Sequence, residues 1–128
     1  MVSDPEIERI AMEEAMRYES ARDWSPQDVS SENRGFDILS QHAATGGVRF
    51  IEVKGRAGRG EVSLSRHEFI TAGRLVEDYW LYVVYDCGTK PDLLLIQDPA
   101  RLDPEAVMAV EHYLLTREKV EEAARHEG

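Results

Sequence analysis

The N-terminal residues carry apolar side chains at the spacing of one helix face. The apolar positions recur every three or four residues: Ile7, Ile10, Ala11, Ala15 and Tyr18. Asp4 followed by Pro5 is a helix-start signal, because aspartate caps exposed N–H groups and proline has no N–H to leave unpaired in the first turn. The pattern predicts a helix from Asp4 to about Ala21, ended by residues 24–26, and then a short extended segment near residues 28–30.

Further along, runs of apolar residues predict four strands. Residues 36–40 and 48–53 flank a polar connection with two glycines, which is typical of an antiparallel hairpin. Residues 79–85 are apolar without polar alternation, which indicates a strand covered on both faces. Residues 92–97 form another apolar run. Residues 55–60 hold three glycines and two arginines, so they are predicted to be a loop.

Two more helices are predicted from their start signals. Ser65 and Glu68 have the spacing of a capping box, which opens a helix over residues 66–77. This role makes Glu68 a cap rather than a ligand.

Asp103-Pro104 repeats the helix-start pattern, and Leu102 with Val107 has the spacing of a hydrophobic staple, so a last helix is predicted over residues 103–124. The resulting order is helix, two or three strands, helix, two strands, helix. It predicts an α/β fold, a mixed central sheet flanked by helices, with the strand that starts at Tyr79 near its centre.

Length and charge narrow the possible functions. The chain has 128 residues, and 15 basic against 25 acidic side chains give a net charge of −10. This length fits a single domain over residues 1–128. A protein this acidic has no general electrostatic attraction for nucleic acid, so any nucleic-acid contact has to be local.

The number of cysteines and the length of the apolar runs indicate the cellular compartment of the protein. Cys87 is the only cysteine, so neither an intrachain disulfide nor a multi-thiolate metal site can form, and we expect a reducing, cytoplasmic setting. The longest apolar run, residues 79–85, is far shorter than the roughly 20 residues of a membrane span. We therefore expect no membrane partner.

Asp37, Glu52 and Lys54 are the strongest candidates for chemistry. Glu52 and Lys54 share one face of a predicted strand, and Asp37 lies on the neighbouring strand, with Cβ atoms about 5 to 8 Å apart across the pair. Two carboxylates this close repel each other unless a cation lies between them. Mg²⁺ or Mn²⁺ suits such oxygen ligands, with the carbonyl of Val53 as a further ligand. A lysine beside the metal could orient a water molecule or stabilise transition-state charge during phosphodiester hydrolysis.

The same residues allow a simpler interpretation. With 25 acids in the chain, an acid two positions before a lysine is weak evidence by itself. Asp37 could instead form a cross-strand ion pair with Lys54 or Arg49 on a solvated face. The context of the triplet, at the end of an apolar strand next to a second acid-bearing strand, favours the metal site.

Several segments together resemble a known family: Tyr18-Glu19, Trp24, Asp28-Val29-Ser30, Gly35-Phe36-Asp37-Ile38, Arg49-Phe50-Ile51-Glu52-Val53-Lys54-Gly55-Arg56 and Tyr79-Trp80-Leu81-Tyr82-Val83-Val84. This pattern is similar to the NO VEIN C-terminal domain family, which itself resembles the PD-(D/E)xK restriction-endonuclease-like superfamily. The likeness covers about residues 7–102.

The resemblance implies a nuclease core, with Asp37, Glu52 and Lys54 in its acid, acid and lysine positions. It also implies an assisting helix acid, for which Glu19 matches the Tyr-Glu pair better than Glu14. Such domains often end larger helicase-like or ATPase-containing proteins, including prokaryotic defence systems. The superfamily's proline before the first acid is absent here, and some members of the superfamily have lost catalysis.

A local positive charge lies next to the proposed site. Between positions 54 and 66, four bases (Lys54, Arg56, Arg59 and Arg66) oppose only Glu61, a local charge of 4 − 1 = +3. Arginines on a glycine-rich loop can contact phosphates, so Arg56, Arg59 and Arg66 are the candidate nucleic-acid contacts. An alternative is that the two loop arginines only keep the loop soluble.

We therefore expect a Mg²⁺- or Mn²⁺-dependent nuclease acting on DNA, with Asp37, Glu52, Lys54 and Glu19 at its site. One alternative is a module of the same fold that binds nucleic acid without cutting it. Another is a purely protein-binding domain. The acidic last helix is most simply a solvated face, and the alternative is that a set of its apolar side chains forms a homodimer contact: Val107, Val110, Tyr113 and Leu114.

Overall fold

The computed structural model describes residues 3–108 and 112–125. The helices are α1 (Asp4–Ser20), α2 (Arg66–Leu75) and α3 (Arg117–Ala123), and the strands are β1 (Trp24–Asp28), β2 (Ile38–His42), β3 (Val48–Gly55), β4 (Tyr79–Tyr85) and β5 (Asp92–Gln97). Short 3-10 turns span Ser30–Glu32, Val76–Asp78 and Pro99–Leu102. The predicted element order and the α/β class are confirmed. None of the described helices is long and apolar enough to cross a membrane.

The five strands form one mixed sheet in the order β1-β2-β3-β4-β5. Strands β3 and β4 are parallel, with Phe50 opposite Tyr79, and every other neighbouring pair is antiparallel. A parallel pair needs a long crossover connection, and α2 supplies it. The strand in the middle is β3, so the strand that starts at Tyr79 lies beside the centre.

Apolar side chains cover the sheet on both faces. On one face, Ala15 of α1 packs with Ile38, Ile51 and Tyr82. On the other, α2 contributes Ala72 to a cluster around the fully buried Tyr79. Strand β4 thus contributes to both clusters, as its continuous apolar sequence predicted. The result is three layers, with the sheet between α1 and α2.

Some element boundaries differ from the prediction. The cap of α1 is Ser3, whose side chain accepts a hydrogen bond from the Glu6 N–H, so Asp4 is already helical. The extended segment after α1 is β1, which begins at Trp24, earlier than expected, and contains Pro26. Proline is tolerated there because β1 is an edge strand whose outer side needs no N–H donor.

The prediction of a long last helix is wrong. Within the described residues 103–108 and 112–125, only Arg117–Ala123 is helical, and Thr116 caps it. Asp103 has a left-handed backbone with φ of 54° instead of the extended conformation of an N-cap, and Val107 is 89 % exposed, so no staple with Leu102 forms. Most helical stability in proteins comes from packing an apolar face, and these exposed residues have no such packing. Val110 lies outside the described residues.

Gly55 allows β3 to lie close to α1. A Cβ at this position would come within 2.8 Å of the Ala11 Cβ and 3.2 Å of the Ile7 carbonyl oxygen. We expect Gly55→Ala to lower the free energy of unfolding by about 1–3 kcal/mol, as overpacked cores do. Gly58→Ala is the matched control, because nothing lies within 4 Å of its Cβ. Urea denaturation of both variants measures the difference, and equal midpoints would contradict the close approach.

Candidate functional site

Strand β3 presents Glu52 and Lys54 to the α2 side of the sheet. Side chains alternate along a strand, so these two residues share a face with Phe50, which packs in the α2-side cluster. Ile51 and Val53 face α1 instead. Glu52 is only 3 % exposed, so a carboxyl group lies almost fully buried at the end of an apolar strand.

Asp37 is held against β3 by two hydrogen bonds. Its N–H donates to the Ile51 carbonyl at 2.8 Å, and its carboxylate Oδ2 accepts from the Val53 N–H at 2.9 Å. The pairing of β2 with β3 ends at Ile38 opposite Ile51, so the aspartate side chain replaces the backbone acceptor that β2 no longer provides. This bond places the Asp37 carboxyl beside Glu52.

Lys54 joins this pair to the start of α2. Its Nζ lies 3.3 Å from Glu52 Oε2 and 2.9 Å from Glu68 Oε1. The same Glu68 oxygen accepts from the Ser65 N–H at 2.8 Å, completing the capping box of α2. Asp37, Glu52, Lys54 and Glu68 are called the acid–lysine cluster from here on.

The predicted cap role of Glu68 is confirmed, but its ion pair with Lys54 is not predicted by the sequence analysis. The order of elements in the sequence does contain a signal for this ion pair. In a strand, helix and parallel strand unit, the helix begins near the C-terminal end of the first strand. The capping residue of α2 therefore comes close to the end of β3.

Burial and crowding change the acidity of the two central carboxyls. Burial, then the negative charges of Asp37 and Glu68, raises the pKa of Glu52 to about 9. Burial also raises the pKa of Asp37, although the hydrogen bond from the Val53 N–H opposes this change. Near neutral pH, without a cation, Glu52 therefore keeps its proton.

Lys54 and Glu68 shift in the directions that favour an ion pair. Burial favours neutral Lys54, but its hydrogen bond to Glu68 and the charge of Glu52 outweigh this effect and raise its pKa. Burial disfavours the Glu68 anion, yet hydrogen bonds from the Ser65 N–H and from Lys54 lower its pKa. The ammonium group and the cap carboxylate are both charged at neutral pH.

The oxygen donors of the cluster suit a small divalent cation. Across residues 3–108 and 112–125, no group of three or more histidine, cysteine, aspartate or glutamate side chains is arranged to hold a metal. Mg²⁺, however, commonly uses only one or two protein carboxylates and completes its shell with water and phosphate. Asp37 and Glu52 supply that number. The Val53 carbonyl points to the same strand edge as its N–H, which bonds Asp37.

The structure does not bring the expected helix acid to the acid–lysine cluster. Glu19 is fully buried on the opposite face of the sheet, where its Oε2 accepts from Arg49 Nη1 and from the Tyr82 hydroxyl, both at 2.8 Å. The other candidate, Glu14, pairs with Arg17 on α1. Glu68 of α2 takes the helix position beside Lys54 instead, because α2 and not α1 covers that face.

The run of positive charge in the sequence is partly neutralised in three dimensions. Arg59, expected to contact phosphates, forms ion pairs with Asp86 at 3.1 Å and Asp92 at 2.9 Å. Arg56 is exposed, and its guanidinium donates to a backbone carbonyl of its own loop at 2.7 Å. Arg66 is exposed at the first turn of α2. Among the ion pairs of the described residues, Arg59 has two carboxylate partners, whereas Arg56 and Arg66 have none.

These features define a small α/β domain with buried carboxyls and a lysine where a parallel strand meets its crossover helix. The family model described as "Protein NO VEIN, C-terminal" matches residues 7–96, and the chain belongs to this family. The matched region contains the whole acid–lysine cluster. Comparison with curated proteins gives no match, and neither does comparison with solved structures.

The raised pKa of Glu52 makes the stability of the metal-free protein depend on pH. Between about pH 5 and pH 9 the folded chain holds a proton on Glu52 that the unfolded chain releases, so stability falls as pH rises, by at most about 1.4 kcal/mol per pH unit. Glu52→Gln removes this contribution. We expect its unfolding free energy, measured with urea in EDTA, to fall less steeply with pH than that of the unchanged protein.

The exposed acid Glu105 offers a matched control. Glu105→Gln makes the same chemical change and is expected to leave the slope unaltered. Parallel curves for Glu52→Gln and the unchanged protein would show that Glu52 titrates in the ordinary range.

Proposed function

We propose that the domain is a metal-dependent phosphodiesterase that cleaves DNA at the acid–lysine cluster. The observation that carries this proposal is the convergence of Asp37, Glu52 and Lys54 at one end of β3. Adjacent carboxyl groups, here the half-buried Asp37 and the buried Glu52, are costly unless one is protonated or a cation lies between them. The raised pKa of Glu52, about 9, reflects this cost.

The roles follow from the chemistry of the groups. Asp37 and Glu52 would hold Mg²⁺ or Mn²⁺, with the Val53 carbonyl as a further ligand. A bound divalent cation supplies Lewis acidity and lowers the pKa of water. The Lys54 ammonium orients the attacking water or stabilises negative charge on the phosphate. Glu68 holds Lys54 in place through the 2.9 Å ion pair.

The acid–lysine cluster is accessible to a polymeric substrate, which is consistent with the proposed cleavage of DNA at this cluster. The Lys54 side chain is 26 % exposed and Asp37 is half-buried, so the cluster is reached from solvent. Arg56 and Arg66 lie in the chain on either side of the loop that links β3 to α2, where they can contact flanking phosphates. Glu19, on the other face, takes no part.

The fold is a further support for the proposed nuclease function. The sheet is mixed, and a crossover helix joins its parallel strands β3 and β4. Glu52 and Lys54 lie at the end of β3. Both features support assignment of the domain to the PD-(D/E)xK restriction-endonuclease-like superfamily. Domains that resemble the NO VEIN C-terminal family often end helicase-like or ATPase-containing proteins, so we propose a helicase or ATPase as the partner that would present DNA.

A cleavage assay with Mg²⁺ or Mn²⁺ on single- and double-stranded DNA tests the activity. Asp37→Asn keeps an oxygen acceptor for the Val53 N–H but loses the charge, and Lys54→Ala removes the ammonium. We expect each to reduce the cleavage rate by about 100-fold or more. Glu105→Gln should retain full activity.

Equal activity in the unchanged protein, Asp37→Asn and Lys54→Ala would assign the cleavage to a contaminant or another site. Circular dichroism of each variant confirms that it is folded. An absence of cleavage on every substrate, with EDTA making no difference, would contradict the proposed activity.

One observation favours a second function, nucleic-acid binding without cleavage. Lys54 already contacts the Glu68 carboxylate and the carboxyl group of Glu52, and Glu52 is almost completely buried and protonated near neutral pH, so a proton rather than a metal ion balances charge in the cluster. A protein of this kind would use Arg56 and Arg66 to bind phosphates. It would show no heat on titration with Mg²⁺.

Salt dependence of DNA binding identifies this second function. If Arg56 and Arg66 contact phosphates, Arg56→Ala and Arg66→Ala should each weaken binding and reduce the slope of log affinity against log salt by about one. Fluorescence anisotropy with a labelled oligonucleotide measures both quantities, with Glu105→Gln as control. Binding that ignores salt would contradict a phosphate contact.

A further inference from the structure

The two edges of the sheet differ in chemical character. One edge is β1, whose sequence Trp-Ser-Pro-Gln-Asp has polar residues and a proline in the middle. Pro26 has no N–H to offer to an added strand, so this edge is protected. The other edge is β5, where residues 93–96 are Leu-Leu-Leu-Ile without interruption.

Strand β5 is well formed and open on its outer side. It pairs with β4 along its whole length, from Asp92 opposite Tyr85 to Gln97 opposite Trp80. In the part of the chain that the structure describes, no strand pairs with its other side. Leu95 is 39 % exposed.

Exposed edges in natural proteins are usually protected by proline, charge or a bulge. Residues 93–97 of β5 contain neither proline nor charge, and their register against β4 runs without a bulge. Their outward N–H and C=O groups are therefore a template for another strand.

We propose that β5 pairs antiparallel with β5 of a second copy of this chain, about a two-fold axis perpendicular to the sheet. The two five-stranded sheets then form one continuous sheet of ten strands. This interface is separate from the acid–lysine cluster and does not depend on the proposed activity.

The geometry of a two-fold axis permits good registers. Such an axis keeps each face of the sheet on the same side, so residues facing α1 pair only with residues facing α1. Centring the axis on Leu95 pairs residues 93–97 with each other, and centring it on Leu94 pairs residues 92–96. In either register, five residues of each strand gain a partner. The central pairs are apolar, and only the outer pairs set an apolar residue opposite a polar one, Leu93 opposite Gln97 or Ile96 opposite Asp92.

The absence of charge on residues 93–97 allows β5 of a second copy to pair at this edge without local repulsion. Residues 93–97 carry no charge, and Asp92 is already paired with Arg59 at 2.9 Å. The two copies still repel at long range, because each carries a net charge of −10. Raising the ionic strength should therefore strengthen the dimer, whereas it weakens binding to DNA.

The second copy is favoured over head-to-tail association of β5 with β1. Head-to-tail pairing would leave a free edge at each end and grow into filaments, and Pro26 opposes it. Pairing of β5 with itself uses the open edge of both copies and closes the assembly.

Cysteine cross-linking tests the register directly. Directly opposed residues of an antiparallel pair have Cα atoms about 4.5 to 5.5 Å apart, within the range that a disulfide spans. We expect Leu95→Cys or Leu94→Cys, according to which residue lies on the axis, to form a covalent dimer under mild oxidation. Gln27→Cys, on the exposed surface of β1, is the matched control and should stay monomeric on a non-reducing gel.

Sedimentation velocity over a range of concentrations measures the association itself. The unchanged protein should be dimeric at high concentration, Leu95→Glu should be monomeric with an unchanged circular dichroism spectrum, and Gln27→Glu should remain dimeric. A monomer at all concentrations and salt conditions would overturn the proposal. So would a dimer that Leu95→Glu leaves intact and that neither β5 cysteine cross-links.

Discussion

The hydrogen bond from the Val53 N–H to the Asp37 carboxylate is the contact on which the candidate site depends. Strand β2 stops pairing with β3 at Ile38, so Val53 would otherwise lack an acceptor on that side. A side-chain carboxylate completes the ladder, and in doing so it lies next to the buried Glu52. One backbone requirement at the end of a hairpin thus places two acids together inside the domain.

Charge balance then determines the behaviour of the cluster. Three carboxyl groups surround one ammonium, and the imbalance is met by a proton on Glu52, whose pKa is about 9. The same balancing occurs elsewhere, since Arg49 pairs with the buried Glu19 and Arg59 pairs with two aspartates. In a chain of net charge −10, a run of bases in the sequence need not form a positive surface.

The predicted elements that form are those that have both local sequence signals and a surface to pack against. Strand β5 has its predicted bounds, and the capping box of α2 forms as expected, because both depend on neighbouring residues and on packing that is present. The last helix does not start at Asp103 despite good start signals, and α3 begins at Arg117 instead. Caps and spacing stabilise a helix only slightly, and the exposed Val107 finds no surface against which to pack.

The sequence by itself determined the layered α/β architecture and the proximity of Asp37, which directly precedes β2, to Glu52 and Lys54 on β3, because alternation along strands and hairpin spacing are local properties. Only the tertiary structure decided which helix covers which face. That choice sets Glu19 against Arg49 on one side and brings Glu68 to Lys54 on the other. Helix acids look alike in a sequence, and the crossover between β3 and β4 is what distinguishes them in space.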